Sequence, residues 1–305
     1  MTTKPAQSEL GLRASDAARA LLKPLQDRSE DGRDILVIRP SKGWTGLNVA
    51  ELWRSRELFY FLTWRDVKIR YKQTALGASW AILQPVMTMV VFTIFFGRLA
   101  GLDQRTGGIP YPIYVFAGLL PWTFFANAVT NGGNSLVGSS NLITKVYFPR
   151  IVVPLAAVGA GLVDLAISFG ALLCMMVWYH TAMSWQLAML PIYLIGTILA
   201  AAGVGTLLSA LTVSYRDFRY VVPFMIQIWM FVTPVIYPAA IVPERWRLIF
   251  SLNPMSGLIE GFRGSFLGTA IDYKATALSL AVCAFFFVFG AIYFRRVERG
   301  FADII

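Results

Sequence analysis

Side chains that do chemistry are scarce in this chain. One histidine, His180, and two cysteines, Cys174 and Cys283, stand among 305 residues, and 14% of the residues are charged. Neither an H-E-x-x-H pair nor a G-x-S-x-G elbow occurs, so metalloprotease and serine-hydrolase chemistry has no carriers here. The glycine-rich phosphate loop G-x-x-x-x-G-K-[ST] is missing too, so any ATP must be handled by another chain. His180 closes an apolar stretch, where the ordinary role of a lone histidine is a polar anchor. Both cysteines fall inside apolar stretches and are expected to be buried small side chains, not a disulfide or a metal site. No catalytic residue and no metal ligand is assigned. Residues 1–34 lack the apolar core of a secretory signal, so the first span is expected to insert as its own signal. No internal repeat is found.

What the chain does have is apolar surface. With 56% hydrophobic residues and a mean hydropathy of +0.59, it cannot be folded away inside one water-soluble core. Crossing a bilayer takes roughly 20 mostly apolar residues. Six stretches qualify as spans: 78–96, 113–129, 151–179, 187–213, 221–237 and 275–294, of which the second and fifth are short. The fold class expected is therefore an all-α integral membrane protein with six spans. Basic residues accumulate on the cytoplasmic side. Placing both termini there puts 21 of the 27 Lys and Arg residues inside, which fixes the orientation. The net charge of +10 is then a matter of topology and anionic lipid, and implies no nucleic-acid partner.

Three regions follow along the chain. Residues 1–48 read as a polar cytoplasmic tail, with a short extended run at 35–38 closed by Arg39-Pro40. Residues 49–77 mix Trp53, Phe59, Tyr60 and Phe61 with Arg54, Arg56, Arg65 and Lys68. That mixture fits an amphipathic helix in the headgroup region, with a soluble helix packed on another protein as the alternative. Residues 78–305 form the six-span domain. Within it, 130–150 is read as the longest inner loop, with room for a short helix directed at a cytoplasmic partner. Prolines and glycines divide 238–272 into two short segments, which suggests a re-entrant hairpin in the outer leaflet, allowed only where protein or a hydrated cavity shields its turn.

A charge inside a span costs at least ~2.5 kcal/mol on insertion scales, so those charges stand out. Asp164 lies well inside the third span and either faces a hydrated conduit or partner helix, or pairs with a buried Ser or Tyr. Glu260 and Arg263, three apart, are placed to pair on one helical face. Arg216 and Asp217 are expected at the inner mouth between the fourth and fifth spans. Aromatic side chains lining a wide conduit would offer flat faces to sugar rings.

Residues 64–80 read W-R-D-V-K-I-R-Y-K-Q-T-A-L-G-A-S-W, followed by Gln84-Pro85. Further on come L-I-T-K-V-Y-F-P-R at 142–150, Y-R-D-F-R at 215–219 and N-P-M-S-G-L-I-E-G-F-R at 253–263. In this order the four motifs resemble the membrane subunits of type-2 ABC exporters that carry polysaccharides such as O-antigen, capsule and teichoic acid. The likeness covers residue 36 to the C-terminus. It implies a homodimeric, channel-forming permease in the bacterial inner membrane with two copies of a separate ATPase, which would hold the ATP and Mg. The cargo would be a polysaccharide, often linked to a polyprenyl lipid. Residues 51–72 and 141–150 would contact the ATPase, making Arg65, Asp66, Lys68, Arg70, Lys145, Tyr147, Phe148 and Arg150 the coupling candidates. Residues 242–267 would gate the outer mouth, and Asp164, Trp80, Glu260 and Arg263 are the conduit or gate candidates. This chain would bind no cofactor and catalyse nothing. Two rivals stay open: an exporter of another lipid or drug on the same scaffold, and a membrane-embedded glycosyl or acyl transferase.

Overall fold

The computed structural model describes residues 53–72, 77–145 and 148–301, and every regular element among them is helical. The expected tail, the start of the 49–77 segment and Tyr147 lie outside the described residues. The order is α1 (Arg56–Tyr71), α2 (Ser79–Phe92), α3 (Tyr111–Gly138), α4 (Ser140–Lys145), α5 (Val152–Trp178), α6 (Leu190–Ser214), α7 (Phe218–Val232), α8 (Glu244–Ser251), α9 (Pro254–Leu267) and α10 (Tyr273–Val297). A π-helical segment, Thr93–Leu99, extends α2, and a 3-10 turn, Trp185–Met189, leads into α6. Five helices among the described residues are long and apolar enough to cross a membrane: Ser79–Leu99, Tyr111–Gly138, Val152–Trp178, Trp185–Ser214 and Tyr273–Val297. Five of the six expected stretches thus become long helices.

The sixth, 221–237, differs. Helix α7 stops at Val232 after 15 residues, about 22 Å at 1.5 Å per residue. Its last turn runs into Thr233, whose φ of −105° and ψ of 143° are extended because Pro234 follows and its ring excludes the helical region for the residue before it. The loop expected at 130–150 is also mostly helix, since α3 runs on to Gly138 and α4 takes up 140–145. Segment 238–272 does divide in two, into α8 and α9, with Asn253 between them.

Helix α3 is the hub, packed against α2, α5, α6, α7 and α9. Ile113, Val115, Phe116, Phe125, Val129 and Leu136 are sealed from the surface along its length. Helices α6 and α10 cross closely because Gly203 faces α10: a Cβ there would sit 2.5 Å from the Phe287 nitrogen. Small residues let membrane helices approach in this way, where hydrophobic driving force is weak. A large apolar core surrounds α3, and a smaller cluster of Leu62, Leu136, Phe148, Ala210, Phe294 and Phe301 binds α1, the α4 segment and the end of α10 at one end of the bundle. Cys283 is buried, but Cys174 is exposed on the bundle surface, against the expectation that both are buried. A side chain facing lipid needs no partner, and α5 presents many such positions.

Candidate functional site

Charged and polar groups gather at two places, one beside the middle of α5 and one beside α9. The first lies where α1 meets α5. The last turn of α1 carries Arg70 and Tyr71, and both donate to the Asp164 carboxylate midway along α5. Burial, reinforced by the bond to Asp164, raises the Tyr71 hydroxyl above the ordinary tyrosine range, so it remains a donor. This ion pair borders a cavity of about 270 Å³ between α2, α3 and α5 that also takes in Trp80, Gln84, Asn127 and Asn131. Trp80 is half exposed at its edge. Asp164 thus pairs with an arginine and a tyrosine and also lines a cavity, so its contacts do not choose between the two readings.

The other described coupling candidates lie on α1 and beside the α4 segment. Arg65 chelates its neighbour Asp66, with Nε and Nη2 at 2.9 and 2.8 Å from Oδ1. The Lys68 ammonium lies 5.5 Å from the Trp64 ring centre. Lys145 ends α4 and is exposed, and Phe148 is buried in the smaller cluster. Arg150 is tied to the far end of the chain: its backbone N–H donates to Glu298 Oε1 at 2.8 Å and its guanidinium to the Glu298 carbonyl at 2.5 Å. Arg216 and Asp217 stand exposed in the turn between α6 and α7.

The second place is at the α9 end. Arg263 is 1% exposed, and its guanidinium lies 3.8 Å from the centre of the Tyr114 ring. It donates to the Tyr114 carbonyl at 3.1 Å, the Tyr114 hydroxyl at 2.9 Å, and the carbonyls of Pro234 and Val235 at 3.0 and 2.9 Å. Glu260, one turn earlier, accepts from the Ala239 backbone N–H at 2.9 Å. The expected Glu260–Arg263 pair therefore does not form. Each charge instead grips the irregular backbone of 234–239, the arginine its carbonyls and the glutamate its N–H, because a stretch outside a helix leaves those groups without partners. Asn253 closes the same region: its side chain caps Met255 N at 3.1 Å, accepts from Trp229 Nε1 at 3.0 Å and donates to Thr233 Oγ1 at 2.9 Å. The cavity beside this clamp measures about 700 Å³.

Tyr114 and Glu298 were not singled out from sequence, and Asn253 and Ser256 entered only as members of the 253–263 motif, with no role of their own. Only Asn253 carried a usable signal, since Asn followed by Pro is the pairing of a helix cap with a first-turn proline.

Five helices of this length and apolarity define a multi-pass membrane protein. The sequence profile of the ABC-2 type transporter membrane family matches residues 57–267, and the chain belongs to that family. It is similar to the O-antigen export system permease protein RfbA of Myxococcus xanthus, 27% identical over 260 residues that cover 84% of this chain and 98% of the relative. The Klebsiella pneumoniae protein of the same name is 26% identical over 82% of this chain and 95% of its own length. The polysialic acid transport protein KpsM of Escherichia coli is 22% identical over 69% and 84%.

Proposed function

We propose that this chain is the channel-forming permease of an ATP-driven exporter that moves a polysaccharide, lipid-linked or free, across the bacterial inner membrane. The observation that carries the reading is the near end-to-end match to two proteins named as O-antigen export permeases. In this reading the permease works as a homodimer with two copies of a cytoplasmic ATPase, which holds the ATP and Mg, and both termini of this chain are cytoplasmic. The basic asymmetry of its sequence supports that orientation. Helix α7 with residues 233–237 makes the sixth crossing, α1 lies along the inner interface, and α8 with α9 re-enters from the outer side as the gate.

The contacts suggest how force would travel. An ATPase pushing on α1 and the α4 segment acts on two ties, Arg70 and Tyr71 to Asp164, and Arg150 to Glu298. Each joins an inner element to a long helix, so the push becomes a rigid-body shift of the bundle. At the far end the grip of α9 on 234–239 moves the gate with α7. The test is deletion of the gene in its host, complementation with the tagged chain, and pull-down from mild detergent. Restored surface polysaccharide together with a stoichiometric P-loop ATPase supports the reading. Restored growth without a change in polysaccharide points to another lipid or drug cargo. A chain that stays folded yet repeatedly comes down alone favours an embedded transferase.

A further inference from the structure

The cavity at the α9 end has the size of a ligand site and polar groups with nothing to hold. Its volume of about 700 Å³ falls among small-molecule pockets. The 99–110 loop contributes Arg105, α8 contributes Arg247, α9 contributes Ser256 and Glu260, and the turn before α10 contributes Asp272. Ser256 is 4% exposed, and its hydroxyl has no hydrogen-bond partner. Glu260 spends one oxygen on the Ala239 N–H, and the other makes no hydrogen bond among the described residues. A buried hydroxyl and a carboxylate oxygen left open beside a cavity are groups that a ligand or water must satisfy.

The mixture of charges chooses the ligand. An anion would meet the carboxylates of Glu260 and Asp272, and a simple cation would meet Arg105, Arg247 and the buried guanidinium of Arg263. A neutral polyhydroxyl group meets neither objection. Each of its hydroxyls donates to a carboxylate and accepts from a guanidinium, so both signs of charge on the wall become useful. We propose that this cavity binds a saccharide unit, with Glu260 and Ser256 as the hydrogen-bonding anchors and Arg105 and Arg247 closing over the ring from the mouth. The proposal rests on the polysaccharide reading above and adds a place: a resting site for the glycan at the end of the bundle away from α1, beside the clamp on 234–239.

The test is saturation-transfer NMR on the full-length chain, purified with its copurifying partner. The probes are methyl α-D-mannoside, methyl β-D-galactoside and the oligosaccharides released by mild acid from the host's own surface polysaccharide. Transfer to at least one probe is expected in the wild type. It should weaken about tenfold in Ser256→Ala and in Glu260→Gln, whose amide oxygen still accepts from Ala239. Ser256→Ala removes a hydroxyl with no protein partner, so its melting temperature should stay level or rise, which separates lost binding from lost fold. No transfer from any probe, or equal transfer in both variants, overturns the site, and the hydroxyl is then held by water alone. This readout does not depend on export. Failure of the wild-type chain to restore surface polysaccharide therefore overturns the functional reading separately.

Discussion

Arg263 and Gly118 should behave as one unit. The Arg263 guanidinium lies directly over Gly118: a Cβ added there would overlap Nη2 and stand 3.0 Å from the Val235 carbonyl oxygen. Overpacking of this kind costs about 1–3 kcal/mol. Replacing glycine inside a helix returns roughly 0.5–1 kcal/mol. Gly118→Ala should therefore destabilise the protein by about 1–2 kcal/mol. In an Arg263→Met background the obstructing guanidinium is gone and only the contact with Val235 remains, so the same substitution should cost close to nothing. The cycle then has a coupling energy of about 1–2 kcal/mol, whatever Arg263→Met costs alone. Reversible unfolding of the four proteins in mixed dodecyl-maltoside and SDS micelles measures it. Costs that add to within ~0.5 kcal/mol would show that Arg263 does not press on α3 as described.

Three other tests by substitution probe the ties between elements. Asp164→Asn removes the charge that holds Arg70 in a part-buried pair, and should cost about 1 kcal/mol of stability while lowering transport; normal flux at normal expression would make the carboxylate merely structural. Lys145→Ala combined with Arg150→Ala should separate ATP hydrolysis from export without unfolding the bundle, because Lys145 is exposed and the Arg150 backbone N–H keeps its bond to Glu298 when the guanidinium's bond to the Glu298 carbonyl is lost; wild-type export by the double variant removes this segment from the coupling role. Asn253→Ala breaks the helix cap and both links to α7 at once, and should cost about 2 kcal/mol. Asn253→Asp, which keeps the acceptor oxygen and loses the donor to Thr233, should fall between, and thermal melts with all three proteins alike would refute the linkage.

The long helices were legible because apolarity on the scale of a bilayer needs no knowledge of partners, and the four runs 78–96, 151–179, 187–213 and 275–294 became helices with ends shifted by a few residues. The misreadings have particular causes. Gly132, Gly133 and Gly138 made 130–150 look like a loop, yet a Cβ on Gly132 would already touch Gly205 of α6 at 3.5 Å, so that glycine serves helix approach. In 221–237 the apolar run Val235-Ile236 outweighed the break that Thr233-Pro234 announces. The separation of Arg70 from Asp164, 94 residues, hid this partner of the carboxylate from a reading of the sequence.

The Glu260 and Arg263 spacing was read correctly as one helical face, but the pairing was wrong, because backbone carbonyls leave no mark in a sequence. A proline that stops a helix frees backbone carbonyls, and where they are buried another donor must take them. A guanidinium with five donors can satisfy several at once, which a carboxylate partner would have prevented by claiming the same donors. The break at Pro234 and the buried charge at Arg263 are thus two halves of one feature: the unwound backbone offers the arginine two of its acceptors, and the arginine supplies the donors that the Pro234 and Val235 carbonyls lack.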